Sequence, residues 1–144
     1  MGEDWERGKE LLDSGAYAEA LKHLGGARAQ NPDCARTTIL HAWAQYLDMR
    51  QRAVGDDDEA PTDRRLKMLA KQYRTTIQKE QFRVPDFALG YVFVGRMQLD
   101  EASPKRAMVT FERALRQEPD LDDAQYWHGV AKRRSWHPGP PDET

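Results

Sequence analysis

Apolar residues recur along most of this chain at the three- and four-residue spacing of a helix with one buried face. Gly, Pro and Asp-rich breaks cut the runs. The first run predicts a helix over about residues 3–14, stopping at Ser14-Gly15, where glycine can take the left-handed turn that ends a helix. The second spans Tyr17 to Gln30 and halts before Pro32, because the residue preceding a proline disfavours helix. Its Ala20, Leu24 and Ala27 share one face, with Leu21 beside them. A third runs from about Asp33 to Arg52 with Ile39, Trp43, Tyr46 and Leu47 at helical spacing. The acidic stretch 55–61 breaks the pattern and reads as an exposed loop. Thr62 or Asp63 can cap a fourth helix whose buried stripe is Leu66, Leu69, Ala70, Tyr73 and Ile77. Pro85-Asp86 opens a fifth, through Tyr91, Val94 and Gly95 to about Gln98. Ser103-Pro104 opens a sixth, proline being suited to a first helical turn. Asp122-Asp123 opens a seventh, ending near Arg134.

The pattern repeats. The small residues near the middle of the odd-numbered helices are Gly8, Ala42, Gly95 and Gly129, at steps of 34, 53 and 34 residues. A Gly15-x-Tyr17-x-x-Ala20-x-x-x-Leu24-x-x-Ala27 sequence closing at Pro32 returns as Ala107-x-x-x-Phe111-x-x-Ala114 closing at Pro119. A hairpin of two such helices cannot bury its own apolar face, so repetition predicts a stack, and the excess in the middle step predicts an elongated middle hairpin.

These residues resemble the tetratricopeptide repeat family over about 130 residues. The second-helix signature matches at 15–32 and again at 107–119, where Ala102-Ser103-Pro104 stands in place of Gly-x-Tyr. The first-helix signature is recognisable at Tyr91, Val94-Gly95 and Gln98 and weaker at Trp5, Gly8 and Leu11. The middle repeat departs most: Ala42 replaces glycine, and Leu69, Tyr73 and Thr76 replace the Ala-aromatic-Ala triplet. The resemblance implies an all-α, right-handed superhelical solenoid of helix hairpins, about seven helices in all, the last a solvating cap. Its domain covers residues 1–134, with 135–144 a disordered tail.

The resemblance also implies a concave groove lined by the odd helices. Its register assigns to that groove Trp5, Lys9, Leu12, Ile39, Trp43, Tyr46, Val92, Phe93, Tyr126 and Trp127, with basic edges at Lys9, Arg36 and Arg96. Only one of the polar groups of the family's carboxylate clamp is present, since Trp5, Leu40 and Phe93 stand where others would be. The expected partner is therefore another protein or peptide, amphipathic or hydrophobic with some acidic residues. Trp43, Tyr46 and Tyr126 are equally consistent with packing between repeats.

Composition removes several other classes. With 22 Lys+Arg against 24 Asp+Glu, the net charge of −2 gives no overall pull towards nucleic acid or anionic lipid. A lone Cys34 allows no disulfide framework, and no apolar run approaches a membrane span, so a cytoplasmic location is expected, with a weak compositional hint of a bacterial source. His23, His41, His128 and His137 lack metal-ligand spacing, the acidic loop lacks that of a calcium site, and no phosphate loop is present. No cofactor, metal or catalytic residue is expected. A secondary basic surface comprises Arg64, Arg65, Lys67, Lys71 and Arg74, in a region near +5. The function these features predict is non-catalytic protein–protein interaction as an adaptor, scaffold or peptide-binding chaperone, either as part of a longer protein or as a small subunit. The alternatives are self-association through the groove or the last helix, and RNA association through the basic helix.

Overall fold

A computed structural model of the chain describes residues 4–54 and 64–136. The acidic loop 55–61, the capping residues Thr62 and Asp63, and residues 137–144 lie outside this range. Among the described residues the structure is all helical: α1 (Asp4–Asp13), α2 (Tyr17–Gln30), α3 (Ala35–Val54), α4 (Arg64–Gln81), α5 (Ala88–Asp100), α6 (Pro104–Gln117) and α7 (Asp122–Trp136). Each helix packs on the next in the chain, and α1, α3, α5 and α7 also touch one another in that order. The odd helices thus share one side of the molecule, and α5, touched by α3, α4, α6 and α7, is buried almost all round.

Two helix ends are built alike. After α1 the Gly15 N–H donates to the Leu12 carbonyl at 3.0 Å and the Ala16 N–H to Leu11 at 2.9 Å. After α5 the Ala102 N–H donates to Leu99 and the Ser103 N–H to Gln98, both at 2.9 Å. This is the Schellman pairing, which satisfies helix-end carbonyls and needs one residue at positive φ. Gly15 supplies it at φ 83° and Ala102 at φ 61°. The glycines at the middle of α1 and α5 serve a second purpose. A Cβ on Gly8 would strike the Leu24 side chain of α2, and one on Gly95 the ring of Phe111 of α6. Their absence lets the two helices of each hairpin close together.

Boundaries differ from expectation in three places. α3 begins at Ala35 rather than Asp33, and α5 at Ala88 rather than Pro85-Asp86. The Gln81 side chain accounts for the second difference. Its Nε2 donates to the Val84 and Phe87 carbonyls at 3.0 and 2.9 Å, holding the connection as a turn. α7 runs to Trp136, two residues past the expected end, so the described part of the last ten residues is helical. α3 and α4, at 20 and 18 residues, are the longest helices, as the wide middle step requires.

Candidate functional site

The odd helices converge on a cleft of about 210 Å³. Trp43, Val92, Phe93 and Trp127, with Leu12 and Leu47, form its floor, and Lys9, Asp13, Tyr17, Arg96 and Asp123 stand at its walls and mouth. The floor is a stack. Trp43 and Phe93 lie nearly parallel with ring centroids 4.7 Å apart, and the Arg96 guanidinium sits 4.9 Å from the Trp43 ring and 4.3 Å from that of Trp127. A cation held between two indoles is favoured by both ring quadrupoles. At the mouth Lys9 Nζ donates to Asp13 at 2.8 and 2.7 Å and to Asp123 at 3.4 Å, tying α1 to α7 across the opening.

The structure thus gathers seven of the twelve expected groove residues around one cleft: Lys9, Leu12, Trp43, Val92, Phe93, Arg96 and Trp127. Their exposure is less than an open groove would give. Leu12, Trp43, Val92, Phe93 and Trp127 are buried, and Ile39 and Tyr46 are wholly inside the core and line nothing. Trp43 of α3 stacks on Phe93 of α5, and Arg96 lies against both Trp43 and Trp127, so these side chains fill the groove themselves. Trp5 leaves the cleft to pack edge-on against Phe87 at 5.1 Å. Arg36 covers the same Phe87 ring at 5.6 Å and reaches Asp86 at 3.9 Å. Tyr126 lies on the outer side of α7, 57% exposed, edge-on to Trp127 at 5.1 Å. Two of the three basic edges are matched by carboxylates, Lys9 by Asp13 and Asp123 and Arg36 by Asp86, while Arg96 lies against the indoles of Trp43 and Trp127.

Four cleft residues are not among those expected to line the groove: Asp13, Tyr17, Leu47, which the helical spacing of α3 places only on its apolar stripe, and Asp123. Asp13 was detectable as the i+4 partner of Lys9, whereas Tyr17 and Asp123 are brought in only by the stacking. Beneath the cleft's neighbourhood lies a polar cluster with no sequence signal, its members being about fifty residues apart. The Tyr46 hydroxyl donates to Asp100, and Arg50 donates to both Asp100 oxygens at 2.9 and 3.2 Å. The Arg50 and Asp100 side chains are 5% and 8% exposed. Burial, reinforced by the Asp100 carboxylate, pushes the Tyr46 phenol far above its ordinary value of 10, so it stays a donor.

Of the expected basic surface, Arg64, Arg65, Lys67 and Lys71 are exposed on α4. Arg74 is not part of it: its guanidinium is engaged by Glu101 at 2.5 and 2.9 Å, 12% exposed, joining α4 to the end of α5. A further cavity of about 310 Å³ opens between α4, α5 and α6, lined by Phe82, Pro85, Tyr91, Val94, Thr110 and Arg113 among others. Phe82 is 86% exposed there, off the buried stripe of α4. Among the described residues no three His, Cys, Asp or Glu side chains come together as a metal site would require. No described helix is long and apolar enough to cross a membrane.

No model of a known protein family matches the chain, and none of the curated proteins is significantly similar to it.

Proposed function

We propose that the chain is a right-handed, tetratricopeptide-like solenoid that works as a non-catalytic protein–protein interaction module in the cytoplasm. The observation that carries this reading is the cleft formed where α1, α3, α5 and α7 meet, with an aromatic floor under a mouth of alternating charge. At about 210 Å³ it is smaller than the ~300–1,000 Å³ typical of small-molecule sites. Its volume suits one anchoring side chain of a partner segment better than a length of peptide. Lys9 is already shared between Asp13 and Asp123, so an acidic anchor would have to displace a carboxylate that is present. An anchor with an apolar stem and a neutral polar tip meets the floor and the Tyr17 rim without that competition.

The test places a photo-crosslinking residue at Tyr17, on the rim, and a control at Lys105, exposed on α6. A discrete protein adduct from position 17 that is absent from position 105, and lost in Lys9→Glu, is the expected result. Equal labelling at both positions, or an adduct insensitive to Lys9→Glu, overturns the reading.

A further inference from the structure

Gly129 occupies the same register in α7 as Gly95 in α5, 34 residues earlier. In α5 the missing Cβ makes room for Phe111, and in α1 the missing Cβ of Gly8 makes room for Leu24. Around Gly129 a Cβ would meet only the tip of Arg133, at 4.0 Å. Glycine within a helix costs about 1 kcal/mol relative to alanine, and here only the flexible end of Arg133, not a packed side chain of a neighbouring helix, approaches the space it leaves.

At 3.6 residues per turn, Asp122, Tyr126, Gly129, Lys132, Arg133 and Trp136 fall within an arc of about 120° on α7. Gly129 is half-buried and the others are exposed. Ala124, Trp127, Val130 and Ala131 take the opposite, buried arc. Tyr126 and Trp136, 57% and 73% exposed, are two of the large apolar residues most open to solvent. Gly26 of α2 is also open, but its surroundings, including Arg7, Lys22 and Gln30, expose no large aromatic ring.

We propose that this face pairs with the same face of a second copy, α7 crossing α7 in antiparallel fashion about a two-fold axis at Gly129. The charge pattern selects this occupant. The acidic residue of the face, Asp122, stands at one end, and Lys132 and Arg133 lie towards the other. Acid at the start and base at the end also suit the macrodipole of α7 itself, so charge alone does not decide. The conjunction with a central glycine and flanking aromatics does. With 1.5 Å rise per residue, Asp122 lies ~10 Å to one side of the axis and Arg133 ~6 Å to the other. Antiparallel pairing therefore brings Arg133 of each copy within side-chain reach of Asp122 of the other, and Lys132 against Tyr126. Parallel pairing would set like charges together. The inference does not depend on the cleft, which opens on the opposite arc of α7 through Trp127.

A single helix face from each copy buries less than the roughly 1,200 Å² of a standard interface, so a dimer dissociating at roughly 10–100 µM is expected. Sedimentation equilibrium of the full chain over that range should show it. Gly129→Gln fills the hollow with a good helix former; it should leave the melting temperature at or above wild type and abolish the dimer. Asp122→Arg and Arg133→Asp should each weaken self-association at least tenfold, because each then sets like charges opposed. Mixing these two variants should restore a heterodimer of about wild-type affinity. A chain that stays monomeric at roughly 500 µM overturns the proposal, as does a dimer indifferent to Gly129→Gln or variants whose mixture fails to recover.

Discussion

At the scale of single residues, the strained position is Ala102. It sits at φ 61° where the matching helix end uses Gly15. A left-handed backbone costs an L-residue about 1–2 kcal/mol, while glycine in its place gives up about 0.5–1 kcal/mol of unfolded-chain freedom. Ala102→Gly should therefore stabilise the fold by about 0.5–1 kcal/mol, read from urea denaturation midpoints at constant slope. The reverse holds at Gly95, where Ala would press on Phe111 with little room to move; a loss of about 1–3 kcal/mol is expected. His41 adds a pH dependence. Burial first, then the Arg28 guanidinium 3.2 Å from its Nδ1, hold its pKa below the ordinary 6.5. Between that lowered value and 6.5 the unfolded chain binds the proton and the folded one does not. Stability contributed by neutral His41 is thus present above pH 6.5 and declines as the pH falls below it. Urea titrations at pH 7.5 and 5.5 should show a smaller loss on acidification in His41→Gln than in wild type. An equal loss would place the effect elsewhere.

At the scale of helices, α5 is the pivot, and its last residue, Asp100, is bound to α3 through Tyr46 and Arg50. Removing one member of such a buried pair leaves a charge uncompensated, so Asp100→Asn should cost about 3–5 kcal/mol. Replacing the whole cluster, with Tyr46→Phe, Arg50→Met and Asp100→Leu together, should recover most of that loss. Chemical denaturation of the single and triple variants checks both statements, and additive losses would refute the coupling. The sequence made the helices legible because their apolar spacing and their Gly and Pro stops are local properties. It also made the shared side of the odd helices legible, since the 34-residue step fixes which turn of each helix corresponds to which. How far that side is filled was not legible. Burial of Trp43 against Phe93 depends on the distance between α3 and α5, and no local pattern encodes that distance. The same holds for Asp100, whose partners lie about fifty residues away, and for the Gln81 turn, which delays α5 although Pro85 is a sound helix starter.

At the scale of the whole molecule, close backbone approach among the described helices joins each to its chain neighbours and the odd helices to one another in order. Stability in such an arrangement is close to a sum of nearest-neighbour interfaces, and the end elements have fewer of them. Among the described helices, α3 and α5 have packed helices before and after them, whereas α1 packs closely on α2 and α3 and α7 on α5 and α6. Opening an end unit therefore breaks fewer interfaces than opening the middle, and it should occur at lower free energy than global unfolding. Native-state hydrogen exchange should find the slowest amides in α3 and α5 and distinctly faster exchange in α7 and in the α1–α2 hairpin. One contact works against this gradient: Lys9 joins the first helix to Asp123 of the last. The bond is part-exposed at 3.4 Å, so it should narrow the difference only slightly, by less than about 1 kcal/mol. Asp123→Asn should accordingly speed exchange in α1 and α7 while leaving α3 and α5 unchanged. Uniform protection of all seven helices at the global unfolding value, unaltered by Asp123→Asn, would instead mean that the chain opens as one cooperative unit. The cleft would then be as rigid as the core beneath it, with no local opening through which a buried Trp43 or Phe93 could become available to a partner.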